Sequence, residues 1–191
     1  MLTYYDLRKG VQFIYEDQPY EVLEFRQMGK SQDVVVAQTK IRNLITGKII
    51  PKNFHQNERF EEADLQKFEA KFIYVNRGKY VFAYKENPGK RFELTADQLG
   101  YSSNFLKANM EVTGVIFDEK IINISLPIKV QLKVTDSPPG VKGDRSQGGT
   151  KAATLESGVT IQVPLFVQND DIVEVNTETG EYVRRLEKRG A

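Results

Sequence analysis

Between Glu21 and Ile41 the chain reads as an extended run, Glu21-Val-Leu-Glu-Phe25, a polar stretch, Arg26-Gln-Met-Gly-Lys-Ser-Gln-Asp33, and a second run, Val34-Val-Val-Ala-Gln-Thr-Lys-Ile41. Strand, tip and return strand predict a protruding hairpin. Strands of seven or eight residues at about 3.3 Å each reach roughly 25 Å, and Gly29 frees the backbone where the chain must reverse. From Arg26 to Arg59 there are seven Lys or Arg against two acids, Asp33 and Glu58. Arg26, Lys30, Lys40, Arg42, Lys48 and Lys52 are therefore candidates to flank a phosphate backbone, which attracts cations by counterion release without base specificity. The plainer alternative is a set of solvated cations that keep an exposed turn soluble.

A second segment, Gly140-Val-Lys-Gly-Asp-Arg-Ser-Gln-Gly-Gly-Thr150, is rich in glycine and is followed by Lys151. It lacks the Gly-Lys-Ser/Thr ending of a nucleotide-binding loop, and no long helix follows, so nucleotide hydrolysis is rejected. Two alternatives stand: an inert connection, or a loop whose amides, with Lys142, Arg145 and Lys151, touch single-stranded RNA. Catalytic readings have less support. The 191 residues contain no Cys, which removes thiol nucleophiles, thiolate metal sites and disulfides. The single His55 cannot supply a two-His ligand set and has no orienting motif, so it reads as a surface or packing residue. No enzyme, cofactor or metal is expected.

The elements that must position these residues are short. Lys129-Val-Gln-Leu-Lys-Val134 and Glu111-Val-Thr-Gly-Val-Ile116 alternate apolar and polar residues at period two, the mark of half-buried strands. Turn chemistry at Glu16-Asp-Gln-Pro19, Asn76-Arg-Gly78, Asn87-Pro-Gly89, Asp118-Glu119 and Thr177-Glu-Thr-Gly180 separates the runs and predicts hairpins. Only Thr95 to Leu99 and Ser102 to Leu106 read as short helical turns. The class is mainly β. Polar, acidic residues from Gln56 to Asp64, and Pro127, mark boundaries that divide the chain into 1–63, 64–127 and 128–191. Units of about 60 residues are marginal alone, and closed barrels protect their sheet edges, so three small barrels are expected. A net charge of +1 gives no global pull toward nucleic acid; the basic character is local. With no run of about 18 apolar residues and no signal-peptide core, a cytoplasmic, membrane-free protein is expected.

Lys151-Ala-Ala-Thr-Leu-Glu-Ser-Gly158, with Asp6-Leu-Arg-Lys-Gly10 far ahead of it in the chain, resembles motifs of the bacterial translation elongation factor P family. Asp6-Leu-Arg-Lys-Gly10 and Gln18-Pro-Tyr-Glu-Val22 are similar to its opening strands, and Thr39-Lys-Ile-Arg-Asn-Leu-Ile-Thr-Gly47 to the strand after its functional loop. Lys151-Ala-Ala-Thr-Leu-Glu-Ser-Gly158, Val163-Pro-Leu-Phe-Val167 and Gly180-Glu-Tyr-Val-Arg184 resemble its C-terminal signature. The hypusine-bearing eukaryotic and archaeal relative resembles only the first two domains. The resemblance implies an L-shaped, tRNA-like molecule with an N-terminal SH3-like, KOW-like barrel and two OB-fold barrels. It implies a monomer that binds ribosomal RNA between the peptidyl and exit sites, steadies the P-site peptidyl-tRNA and relieves stalling at consecutive prolines, leaving catalysis to the ribosome. An elongation factor P-like paralogue with narrower specificity and a generic single-stranded RNA-binding protein are the rival readings.

The resemblance also implies residue roles. Met28-Gly29-Lys30 is similar to the family's Pro-Gly-Lys tip, which makes Lys30 the candidate for the residue nearest the peptidyl-transferase centre and the substrate of a lysine-modifying enzyme. Counting without gaps from Tyr20 or back from Lys40 instead puts the family's modified position on Gln32, beside Ser31. A two-residue slip keeps side-chain faces while moving the apex, so both assignments stay open. Arg26, Lys40 and Arg42 are the expected tRNA or rRNA backbone contacts. Gly143-Asp144-Arg145 falls where the family has a Gly-Asp-Thr loop facing the exit-site mRNA codon; Arg145 replaces a hydroxyl with charge and reach.

Overall fold

The computed structural model describes residues 1–29, 35–139 and 149–187. It is mainly β, as the period-two runs require. In chain order the strands are β1 (Leu2–Thr3), β2 (Gln12–Tyr15), β3 (Gln18–Gly29), β4 (Val35–Asn43), β5 (Ile49–His55), β6 (Arg59–Phe60), β7 (Gln66–Asn76) and β8 (Lys79–Tyr84). They continue with β9 (Arg91–Thr95), β10 (Glu111–Phe117), β11 (Lys120–Ser125), β12 (Lys129–Asp136), β13 (Thr150–Leu155), β14 (Thr160–Pro164), β15 (Ile172–Asn176) and β16 (Tyr182–Glu187). The sheets run β2-β3-β4-β5, β1-β6, β11-β10-β7-β8-β9 and β14-β13-β12-β15-β16.

Turn chemistry acts where it was expected. β2 and β3 are joined through Glu16 and Asp17, β7 and β8 through Arg77 and Gly78, and β10 and β11 through Asp118 and Glu119. All six residues have positive φ, from 48° to 78°. That is the geometry of two-residue turns whose twist matches the flanking strands. The short helix α1 (Ala96–Leu99) starts on a capping box: Thr95 Oγ1 accepts from the Gln98 N–H at 3.3 Å, and Gln98 Oε1 accepts from the Thr95 N–H at 3.0 Å. A 3-10 turn, Gly100–Phe105, follows.

The residues group into two compact units, Met1–Phe68 with Leu94–Gly100 and Gly114–Ile124, and Glu69–Glu93 with Tyr101–Thr113 and Ser125–Ala191. In the first, Leu7, Phe13, Tyr20, Val22, Ala37, Ile41, Phe54 and Phe60 form a buried cluster. Phe13 meets Phe54 and Phe60 edge to face, with centroids 5.7 and 5.2 Å apart. Burial of each ring stabilises by about 2–3 kcal/mol, and each edge contact adds about 1 kcal/mol. Gly114 has no room for a side chain, since a Cβ there would overlap the ring of Phe68. Asn123 donates from Nδ2 to the Gln98 and Leu44 carbonyls at 2.8 and 3.3 Å.

In the second unit β12 shows the expected alternation, with Val130, Leu132 and Val134 buried and Lys129, Gln131 and Lys133 exposed. Lys107 ties the segment after the 3-10 turn to β12, donating from Nζ to the Gln131 carbonyl at 2.7 Å and meeting Glu156 at 3.3 Å. One expectation changes: Asp6 to Gly10 is a turn rather than an opening strand. Asp6 ties its start back to β1 by accepting from the Thr3 N–H at 2.9 Å and the Thr3 hydroxyl at 2.7 Å, and those bonds hold its carboxyl below the usual carboxylate value.

Candidate functional site

β3 and β4 form a long ladder that pairs Tyr20 with Asn43 at its base and Gly29 with Val35 at its far described end. It runs with regular pairing except at Leu23, where Val22-Leu-Glu24 opposes only Ile41 and Lys40. This bulge decides which residues face solvent and which face the core. Before it, Tyr20 and Val22 are buried; after it, Phe25 packs against the core and Glu24, Arg26 and Met28 are exposed. An unbroken period of two would have pointed Glu24 and Arg26 at the core. On β4, Ala37, Thr39, Ile41 and Asn43 are buried, leaving Gln38, Lys40 and Arg42 for the other face. Thr39 satisfies its hydroxyl on the Lys52 carbonyl at 2.8 Å. Asn43 accepts from the Ile45 and Thr46 N–H groups, both at 2.9 Å, and so shapes the turn into β5.

The exposed face is a stripe of cross-strand pairs. Lys40 Nζ lies 2.9 Å from Glu24 Oε1, and Arg42 Nη2 lies 2.6 Å from Glu21 Oε2. Two of the three cations expected to meet a phosphate backbone therefore already hold a carboxylate. The Lys40 hydrogen bond, with the charges of Lys40 and Arg26 behind it, keeps the Glu24 carboxyl below the usual carboxylate value. Side chains of the Lys40–Glu24 pair are 54% and 51% exposed, so solvent screens the pair and leaves it weak. Arg26 has no ion-pair partner among the described residues. Lys52 rests its ammonium 4.9 Å from the Tyr15 ring centroid, and Lys48 is exposed.

Beside the bulge lies a shallow groove of about 560 Å³, lined by Arg8, Lys9, Leu23, Glu24, Phe25 and Arg26. Its apolar floor comes from Leu23 and Phe25. Three cations stand around one carboxylate, and that carboxylate is engaged by Lys40. Arg8 also stands over the exposed Tyr5 ring, 5.2 Å from its centroid. Arg8 and Lys9 reach this place because Gly10 N–H donates to the Val22 carbonyl at 2.8 Å, Val22 N–H to the Val11 carbonyl at 2.9 Å and Val11 N–H to the Arg8 carbonyl at 3.0 Å. The turn is clasped to β3 next to the bulge. Sequence reasoning missed both residues; the only available signal was the adjacent pair of cations before Gly10.

Met28 and Gly29 end the described part of β3, and Met28 is 47% exposed. Lys30, Ser31 and Gln32 lie outside the described residues, as do Gly143, Asp144 and Arg145. His55 is exposed, and its N–H donates to Glu58 Oε2. Among the described residues no group of three or more His, Cys, Asp or Glu could hold a metal ion, and no helix is long and apolar enough to cross a membrane.

Two family models match the chain: Elongation factor P (EF-P) KOW-like domain over residues 3–60, and Elongation factor P, C-terminal, over residues 130–185. Elongation factor P of Desulfotalea psychrophila is 39% identical over 188 residues, 98% of this chain and 100% of its own length. Elongation factor P of Carboxydothermus hydrogenoformans is 36% identical over 186 residues, 97% and 100% of the two chains. Among solved structures, eukaryotic translation initiation factor 5A from Methanococcus jannaschii aligns with a TM-score of 0.47 at 11% identity, covering 64% of this chain and 92% of its own. A mainly β chain that matches such relatives from end to end is a translation elongation factor. It belongs to the elongation factor P family.

Proposed function

We propose that this elongation factor acts on the ribosome, between the peptidyl and exit sites, and speeds peptide-bond formation at consecutive prolines without catalysing it. The observation that carries the reading is a hairpin standing beside a groove that gathers Arg8, Lys9 and Arg26, in a chain of this family. Cations so placed suit an RNA backbone, which needs charge and no base readout. Proline's ring restricts its backbone and makes a poor reactant geometry, so holding the peptidyl-tRNA end in a reactive pose restores orientation that the reaction requires anyway. The chemistry stays with ribosomal RNA.

On this reading the hairpin tip, with Lys30 or Gln32 foremost and Met28, Gly29 and Ser31 around it, faces the peptidyl-transferase centre. Lys30 is the substrate of a modifying enzyme. Arg26, with Lys40 and Arg42 once their carboxylates are displaced, holds tRNA or rRNA phosphates. Gly143, Asp144 and Arg145 face the exit-site codon. The factor is a cytoplasmic monomer with domains 1–63, 64–127 and 128–191, needing no cofactor.

A reconstituted translation assay on a Pro-Pro-Pro reporter tests this directly. The wild-type chain raises full-length product and a chain without effect on any proline template ends the proposal. Lys30→Ala and Gln32→Ala identify the foremost residue by which of them removes the stimulation. Intact and peptide mass spectrometry of the native protein shows whether Lys30 is modified.

A further inference from the structure

The second unit keeps one large aromatic ring out of its core. In Val163-Pro-Leu-Phe-Val167, Val163 and Val167 are fully buried, whereas Phe166 is 54% exposed. The Arg185 guanidinium lies over that ring, 4.8 Å from its centroid. Arg185 is itself fixed, since Nη1 donates to the Phe166 carbonyl at 3.3 Å and to Asp171 Oδ2 at 3.2 Å. Asp171 is fully buried and also accepts from the Gln168 N–H at 2.9 Å. With one face of the ring beneath the guanidinium, the exposure belongs to its other face and edges.

The backbone on either side of Phe166 is tied to Ser137, Gly149 and Thr150. Leu165 N–H donates to the Gly149 carbonyl at 3.2 Å, Thr150 pairs with Pro164, and the Ser137 hydroxyl donates to the Val167 carbonyl at 3.3 Å. Lys151, paired with Val163 on the neighbouring strand, holds its Nζ on the Pro138 carbonyl at 2.8 Å. The two nearby carboxylates are already engaged, Asp171 by Arg185 and Asp170 by Lys133 at 2.8 Å.

We propose that Phe166, backed by Arg185, is a stacking platform for one nucleobase of single-stranded RNA. The inference rests on the ribosome-facing reading above and adds a contact to it. Bases stack on exposed aromatic rings and on guanidinium planes, and the Arg185 charge behind the ring favours the electron-rich face of a stacked base and the phosphates that flank it. An apolar protein side chain would gain from the ring alone and would make no use of an arginine locked by a buried carboxylate. A stacking contact is tolerant of sequence, because every base presents a π-face.

The test measures binding of the full chain to ribosomes stalled at consecutive proline codons, for wild type and for Phe166→Ala, Phe166→Leu and Phe166→Trp, each first shown by thermal unfolding to be folded. Loss of a stacked base weakens binding roughly 5- to 150-fold. Ala and Leu should both show that loss, and Trp should bind at least as well as Phe. Unchanged binding of Phe166→Ala overturns the proposal. So does full binding by Phe166→Leu, which marks packing against a protein. If the wild-type chain fails to bind these ribosomes, the ribosome-facing reading has failed, and this inference falls with it.

Discussion

At the scale of single residues, the hairpin's charge differs from what its composition suggests. Arg26, Lys40 and Arg42 look equivalent along the chain, yet Glu24 and Glu21 hold the latter two. Replacing Glu24 with Gln releases Lys40, so Glu24→Gln should bind a single-stranded RNA more tightly at low salt and steepen its salt dependence by about 0.7 in log–log slope. Filter binding across a salt series checks this; an unchanged slope would mean that Lys40 never meets a phosphate. Acid should act in the same direction. The Glu24 carboxyl is held below its ordinary value of 4.5, mainly by the Lys40 hydrogen bond. A carboxylate so depressed contributes stability that is complete above its unfolded value and lost as pH falls through the folded one. NMR titration of the Glu24 carboxyl carbon should therefore show a midpoint under 4.5 in the wild type and a return toward that value in Lys40→Gln. The sequence made Arg26 a candidate phosphate contact, and the fold leaves it exposed at the groove, whereas the pairing of its neighbours was not legible. That pairing depends on the register, which depends on a bulge at Leu23 that no period-two pattern announces. Arg8 and Lys9 escaped for a related reason: backbone bonds to Val22 bring them to the groove, and only the folded chain displays those bonds.

Elements were more legible. Alternation in β12 and the capping residues Thr95 and Gln98 are local signals, and the fold obeys them because each acts within a few residues of itself. Turn positions were equally clear, although Glu16, Asp17, Asp118 and Glu119 adopt positive φ without a glycine among them. What the pattern hides is the reason for Gly114. Within Glu111-Val-Thr-Gly-Val-Ile116 it reads as a weak spot in a strand, yet the ring of Phe68 occupies the space a side chain would need. Gly114→Val should lower the unfolding free energy by about 1–3 kcal/mol, the usual cost of overpacking. Pairing it with Phe68→Ala should recover part of that loss, and additive effects in denaturant melts would show that the ring is not the obstacle.

At the scale of the whole molecule, 27 Lys and Arg face 26 Asp and Glu, so the chain as a body has little attraction for polyanions. Any attraction to a polyanion must therefore come from local clusters of cations, of which the groove is one. If Arg8, Lys9 and Arg26 supply the contacts, the log–log salt slope for single-stranded RNA should be about −2. A slope far beyond that would require cations elsewhere, and a flat one would remove the groove from the interface. Family membership was legible because motifs span both ends of the chain, and the relatives match it over nearly its full length.

The pre-paired cations of the β3–β4 ladder carry one more consequence. If a phosphate docks there, it displaces an internal carboxylate, and the cation that the freed carboxylate attracts offsets the one the phosphate sheds, so fewer ions leave on balance than with a bare lysine. Added salt would weaken such a grip less steeply than one made by bare lysines.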